Sequence, residues 1–164
     1  MEITRRPTPP TGLRRALFRA PIRLYRLGLG ALVPSRLLLL NHIGRVSGQQ
    51  RQVVIEVVEH ERSTGSYIVC SGFGPKAQWY RNLLAHPDVT IQVGARRLAV
   101  HAQPLNPDEG GAFMAGYAAR HPRAARKLVK FMGFRVDGTL EDYRAAGREL
   151  PFVRLRPRAD GSAN

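Results

Sequence analysis

The chain has 164 residues with 43% apolar content, enough to bury a real core in one domain, and no apolar run approaches the roughly 20 residues that span a bilayer. Its 26 basic residues outnumber 12 acidic ones, for a net charge of +14. That excess suggests an acidic ligand, an anionic lipid or nucleic acid as partner, or simply a coding preference for arginine. The single cysteine, Cys70, excludes an internal disulfide and a cysteine-based metal site, and a reducing cytoplasm is the expected compartment.

The positive excess sits at the two ends. Residues 1 to 51 carry ten arginines against one acid, 52 to 119 carry five basic against six acidic residues, and 120 to 158 carry eleven against four. Residues 1 to 10 contain three prolines and little that could pack, so a flexible arm is expected. Thr11 is placed to cap an amphipathic helix within residues 11 to 33. Leu13, Leu17, Ala20, Leu24 and Leu27 form its apolar stripe, Arg14, Arg15, Arg19, Arg23 and Arg26 lie away from it, and Pro21 kinks or divides it. Two readings stand for this segment: peripheral contact with an anionic membrane surface, or a cover over one end of the domain. Charges throughout exclude a secretory signal peptide.

Leu37 to Leu40 and the β-branched Val53, Val54, Ile55, Val57 and Val58 read as two buried strands. The polar stretch from Asn41 to Arg51 joins them. Gly44 and Gly48 permit positive φ and close backbone approach, Ser47 adds a hydroxyl, and Arg45 and Arg51 offer forked donors suited to phosphate or carboxylate. Such a turn can cradle an anion; it also reads as a polar hairpin whose arginines face water. It is neither a P-loop, lacking the Lys-Ser/Thr ending, nor a dinucleotide fingerprint, because a strand rather than a helix follows.

Further along, Tyr67 to Ser71 reads as a strand. Lys76 to Ala85 reads as a helix with Trp79 and Leu83 inward, ended by His86-Pro87. Asp88 to Val93 and Arg97 to Gln103 form a hairpin around Gly94-Ala95. Asn106 caps a helix to about Arg120, a second runs from Arg123 to Met132, a third from Thr139 to Ala146, and Pro151 to Arg156 is a final strand. Residues 158 to 164 are expected to be a disordered tail. Central strands with helices at both ends suit an α+β barrel better than alternating βαβ units.

The pattern Gly44-Arg45-x-Ser47-Gly48-x-x-Arg51, followed by Trp79-Tyr80-x-Asn82-Leu83 and His86-Pro87, resembles the deazaflavin (coenzyme F420)-dependent nitroreductase and quinone reductase family. The likeness runs from about residue 37 to 157. It implies a split β-barrel, FMN-binding-like, of about six antiparallel strands with flanking helices, as a single domain over residues 11 to 157. It also implies hydride transfer from reduced F420 to a small electron-poor acceptor, a quinone or nitroaromatic. By resemblance, Arg45, Ser47, Gly48 and Arg51 hold the acidic phosphate or tail region and Val53 and Val54 line the ring. Lys76 adds charge, and Trp79 and Asn82 shape and anchor the pocket. His121-Pro122 matches a place where some members present a tyrosine before a proline, so His121 is either a proton donor or a helix-end histidine in solvent. Val46 stands where many members have a second basic residue, which would weaken tail contacts or move them toward Lys76 and the amino-terminal arginines. Split barrels of this kind often pair, which admits a homodimer and leaves the oligomeric state open.

Two alternatives stand beside it: a second enzyme reading, an FMN-dependent split-barrel oxidoreductase, and, from another class, a non-catalytic basic module binding nucleic acid or anionic membrane. No interleaved basic-aromatic signature supports specific nucleic-acid binding. The five histidines show no ligand spacing, so no metal is implied. Cys70 reads as buried and inert.

Overall fold

The computed structural model describes residues 1–3, 22, 25–26 and 36–159. Alternation along the strands decides the architecture. In β2 (Leu37–Ile43), Leu38 and Leu40 join one buried cluster while Leu39 joins another on the opposite face. The strands that follow are β3 (Gln50–Glu61), β4 (Ser66–Cys70), β5 (Asp88–Val93), β6 (Arg96–Pro104) and β8 (Phe152–Pro157). With β2 they close into a barrel in the order β2-β3-β4-β8-β6-β5, every neighbouring pair antiparallel. This is the expected six-stranded split barrel.

The described helices are α1 (Gln78–Ala85), α2 (Pro107–Arg120), α3 (Pro122–Phe131) and α4 (Leu140–Arg148). Inside the barrel, Leu38, Leu40, Ile55, Val69, Ile91, Val100 and Leu155 pack together, and Trp79 and Leu83 of α1 plug one end. Helices α2, α3 and α4 cover the outer face of β4 and β8, where Ile68 and Phe152 meet Met114, Tyr117, Val129 and Tyr143. A register shift between Val57 and Glu59 turns Val58 toward that helical layer. Asn106 caps α2 in a complete capping box with Glu109, and Thr139 caps α4, as the sequence signals require. Where α2 and α4 cross, glycines let the backbones meet: a Cβ on Gly147 would lie 2.6 Å from Met114 Cβ and 2.7 Å from the Gly110 carbonyl.

Three boundaries differ from the sequence reading. Strands β2 and β3 run toward each other until only residues 44 to 49 remain as turn, because backbone pairing continues through the polar residues Asn41, Gln52, His42 and Arg51. At the start of the expected arm, β1 (Glu2–Ile3) pairs with β7 (Phe134–Arg135). Arg158, placed in the expected tail, donates its amide to the Ala99 carbonyl at 2.9 Å. Most of the expected helix of residues 11 to 33 lies outside the described residues. Of those described, Ile22 and Tyr25 are buried against Leu39, and Arg26 donates to Gln52 at 2.9 Å.

Candidate cofactor site

The β2–β3 turn is built to be tight. Gly44 and Gln49 are joined by an amide-carbonyl bond of 2.8 Å, and Gly48 donates back to the Gly44 carbonyl, also at 2.8 Å. Gly48 uses the left-handed region at φ 70°, and a Cβ there would meet nothing within 4 Å, so it borders open space. Gly44 serves the other purpose: a Cβ would fall 2.5 Å from Ser47 Oγ. Ser47 Oγ accepts the Gln49 amide at 3.2 Å, which leaves its hydroxyl hydrogen for a ligand.

Arg45 is held by α1. Its main-chain amide donates to Asn82 Oδ1 at 3.1 Å, and its guanidinium Nη1 donates to the same oxygen and to Gln78 Oε1, both at 2.9 Å. Asn82 is buried, and its Nδ2 lies 3.0 Å from Nδ1 of the equally buried His42. Arg51 stands opposite His42 in the strand register and is exposed. Burial, with the Arg51 charge as a second cause, lowers the His42 pKa from its ordinary 6.5 to about 4, so the ring is neutral at physiological pH. Lys76 is exposed two residues before Gln78. Arg45, Ser47, Gly48, Arg51 and Asn82 thus meet at one rim of the barrel, with Lys76 close in sequence to Gln78.

The remaining expected residues divide. Val53 packs against the barrel interior, whereas Val54, its neighbour along the strand, faces outward onto Leu39, Ile22 and Tyr25. Their side chains therefore cannot line one slot together. Trp79 is 7% exposed within the barrel cluster, with Tyr80 edge-on at 6.2 Å. It packs into the barrel interior, one residue along α1 from Gln78. His121 lies exposed between α2 and α3, its ring 5.4 Å from that of Tyr117. Tyr117 in turn donates to Glu56 at 2.7 Å, on the half of β3 remote from the turn and on its outer face. The structure does not bring His121 to the turn.

Sequence reading missed His42 and Gln78. His42 carried a signal: it follows Leu38 and Leu40 at alternate positions, so it is a polar residue where the strand faces inward. Gln78 carried none. A separate hollow of about 340 Å³ lies between α2 and the strands β3 and β8. Its arginines are already paired, Arg154 with Glu61 at 2.8 Å and Arg120 with Glu59 at 3.4 Å. Among the described residues no cluster of histidine, cysteine and carboxylate could hold a metal ion.

Comparison with known proteins decides the identity. A family model described as F420H(2)-dependent quinone reductase matches residues 20–128. The chain belongs to the F420H(2)-dependent quinone reductase family. It is therefore an F420-dependent oxidoreductase with coenzyme F420 as its cofactor. Mycobacterium tuberculosis Rv3178, provisionally named an F420H(2)-dependent quinone reductase, is 34% identical over 84 residues, covering 51% of this chain and 71% of that protein. A structure titled F420-H2 dependent reductase (FDR-A) superposes with a TM-score of 0.50 at 23% identity, covering 74% of this chain and 94% of that one. A pyridoxamine 5'-phosphate oxidase-related, FMN-binding protein of Nostoc punctiforme superposes with a TM-score of 0.53 at 14% identity, covering 90% and 81%. At such identities the two structures establish the split-barrel fold of this family member and nothing finer.

The donor set fits the cofactor. F420 carries a phosphate and an acidic tail, and the rim offers two guanidiniums, a free hydroxyl hydrogen and a turn open at Gly48, with Lys76 near α1.

Proposed function

We propose that the acidic portion of F420 rests on the β2–β3 turn, held by Arg45, Ser47, Gly48 and Arg51 with Lys76 adding charge, and that the acceptor is a quinone, with nitroaromatics as second substrates. The observation that carries this reading is the immobilisation of Arg45 by Asn82 and Gln78. A cation already fixed in place loses little rotamer freedom on meeting an anion, which is the usual source of affinity in a preorganised site. When bound, the reduced cofactor supplies a hydride, and the acceptor also takes up one proton to complete its two-electron reduction. Arg45 and Arg51 neutralise the acidic part of the ligand, and the apolar barrel end beneath, plugged by Trp79, keeps water from that side. With His121 on the outer helical face, the proton comes from solvent in this reading.

The test uses the purified chain. F420 titrated against tryptophan fluorescence should quench the only tryptophan, Trp79, and reduced F420 should convert to the absorbance of its oxidised form only when menadione completes the mixture. Tight FMN binding with no F420 uptake would overturn the proposal.

Peripheral membrane contact through the amino-terminal segment is a second proposal, supported by its arginine and leucine pattern. No described helix is long and apolar enough to cross a membrane. Because Ile22, Tyr25 and Arg26 rest on the barrel, deletion of the segment would expose Leu39. Substitution of Arg14, Arg15 and Arg19 by glutamate is the cleaner test: flotation with anionic vesicles should be lost, and undiminished flotation would refute the contact.

A further inference from the structure

His42 and Asn82 are polar side chains 5% and 4% exposed at the end of an apolar barrel. Such groups are retained only where each is satisfied. The Asn82 amide has two chemically different ends. Its oxygen accepts twice from Arg45, so the opposite end must be the NH2, which donates to His42 Nδ1. Flipping the amide would set NH2 against two Arg45 donors and leave a carbonyl facing the imidazole. Only an imidazole bare at Nδ1, and so protonated at Nε2 when neutral, accepts from Asn82.

We propose that His42 is a positioning residue for F420 binding: by accepting from Asn82 it fixes which end of that amide faces the turn, and Asn82 then holds the guanidinium and main-chain amide of Arg45 in place. The inference rests on the placement of the cofactor's acidic part proposed above and adds a residue that makes no contact with the ligand. Burial, and then the charge of Arg51 opposite in the register, oppose protonation of this ring. The acceptor at Nδ1 therefore persists across the physiological range.

The competing role is simple space filling. Two substitutions separate them. His42→Asn puts Oδ1 where Nδ1 stood and keeps an acceptor in a smaller volume; His42→Leu fills the space and offers none. Positioning demands that His42→Asn keep F420 affinity within about twofold of the natural chain and that His42→Leu weaken it about tenfold, the scale of one hydrogen bond to a charged group. In an Asn82→Leu background, His42→Leu should add less than about twofold, because the pair acts as a unit. Equal affinity for His42→Leu and the natural chain, equal loss in both variants, or full additivity with Asn82→Leu would each overturn the proposal.

A cofactor-free measurement keeps this separate from the placement of F420. Long-range nitrogen-proton spectra of the intact chain at pH 7 should show His42 as the neutral Nε2–H tautomer, and the Arg45 amide should shift in His42→Leu but not in His42→Asn. A Nδ1–H or charged ring overturns the proposal even if F420 binds, while the expected spectra with no F420 uptake would fault the placement of the cofactor alone.

Discussion

The main-chain amide and the guanidinium of Arg45 both end on one atom, Asn82 Oδ1, at 3.1 and 2.9 Å. One buried side chain on α1 therefore sets both the backbone of the turn and the direction of its first arginine. Substituting Asn82→Ala removes both bonds and strands the His42 ring. F420 affinity should fall by about ten- to a hundredfold, and stability by about 1–3 kcal/mol. Isothermal titration with F420 and urea unfolding check the two parts.

Arg51 contributes differently. It is exposed, so Arg51→Gln should leave the melting temperature nearly unchanged while raising KM for F420 about tenfold with kcat held, the pattern of lost uniform binding. It should also raise the His42 pKa, since the Arg51 charge is one of the two causes that lower it. Steady-state kinetics and a histidine titration by NMR measure both effects on one variant.

The depressed pKa of His42 has a consequence for stability. Between its ordinary 6.5 and about 4, the unfolded chain binds a proton at this position that the native chain refuses. Stability should therefore fall as pH drops through that window, by up to about 3 kcal/mol, and level off below it. Urea unfolding from pH 7 to pH 4 should show a smaller loss for His42→Asn than for the natural chain. His60, also lowered by burial and by Arg62 and Arg96, contributes equally to both proteins and cancels in the comparison.

The sequence revealed the barrel because its strands are marked by alternation and its hairpins by glycines, as at Gly94-Ala95 between β5 and β6. The turn was legible for the same reason. What pattern could not supply was direction. Val53 and Val54 are both β-branched and adjacent, so composition joins them, yet the pleat sends one to the interior and the other under Ile22 and Tyr25. His121 precedes a proline at a helix junction, which is a local fact. Its distance from the turn depends on how α2 lies over β3, and no short-range signal encodes that. Gln78, reaching back 33 residues to Arg45, is invisible for the same reason.

At the crossing of α2 and α4, Gly147→Ala should be costly. The added Cβ would meet Met114 Cβ and a main-chain carbonyl, neither of which is the end of a flexible side chain. A loss of about 1–3 kcal/mol follows, lowering the melting temperature by about 3–10 °C. Calorimetry of the variant checks this, and F420 affinity at low temperature should stay within about twofold, because the crossing lies on the far side of β4 from the turn.

Cys70 is buried beneath α2 and α3, and burial pushes its thiol pKa up. A thiol reagent should therefore label the native chain only as fast as the protein opens globally, and at the unfolding rate when denaturant is added. Rapid stoichiometric labelling of the native chain would show the helical layer detaching on its own.

Closure of the sheet gives each of the six strands two hydrogen-bonded neighbours, so no strand can peel away without breaking ladders on both sides. Amide protons in β2 through β6 and β8 should accordingly exchange with deuterium in one concerted, slow event, whereas the two-residue pairing of Glu2–Ile3 with Phe134–Arg135 can open by itself. The turn that carries Arg45 thus borrows the rigidity of a ring, and its readiness for an anion lasts as long as the whole hoop stays shut.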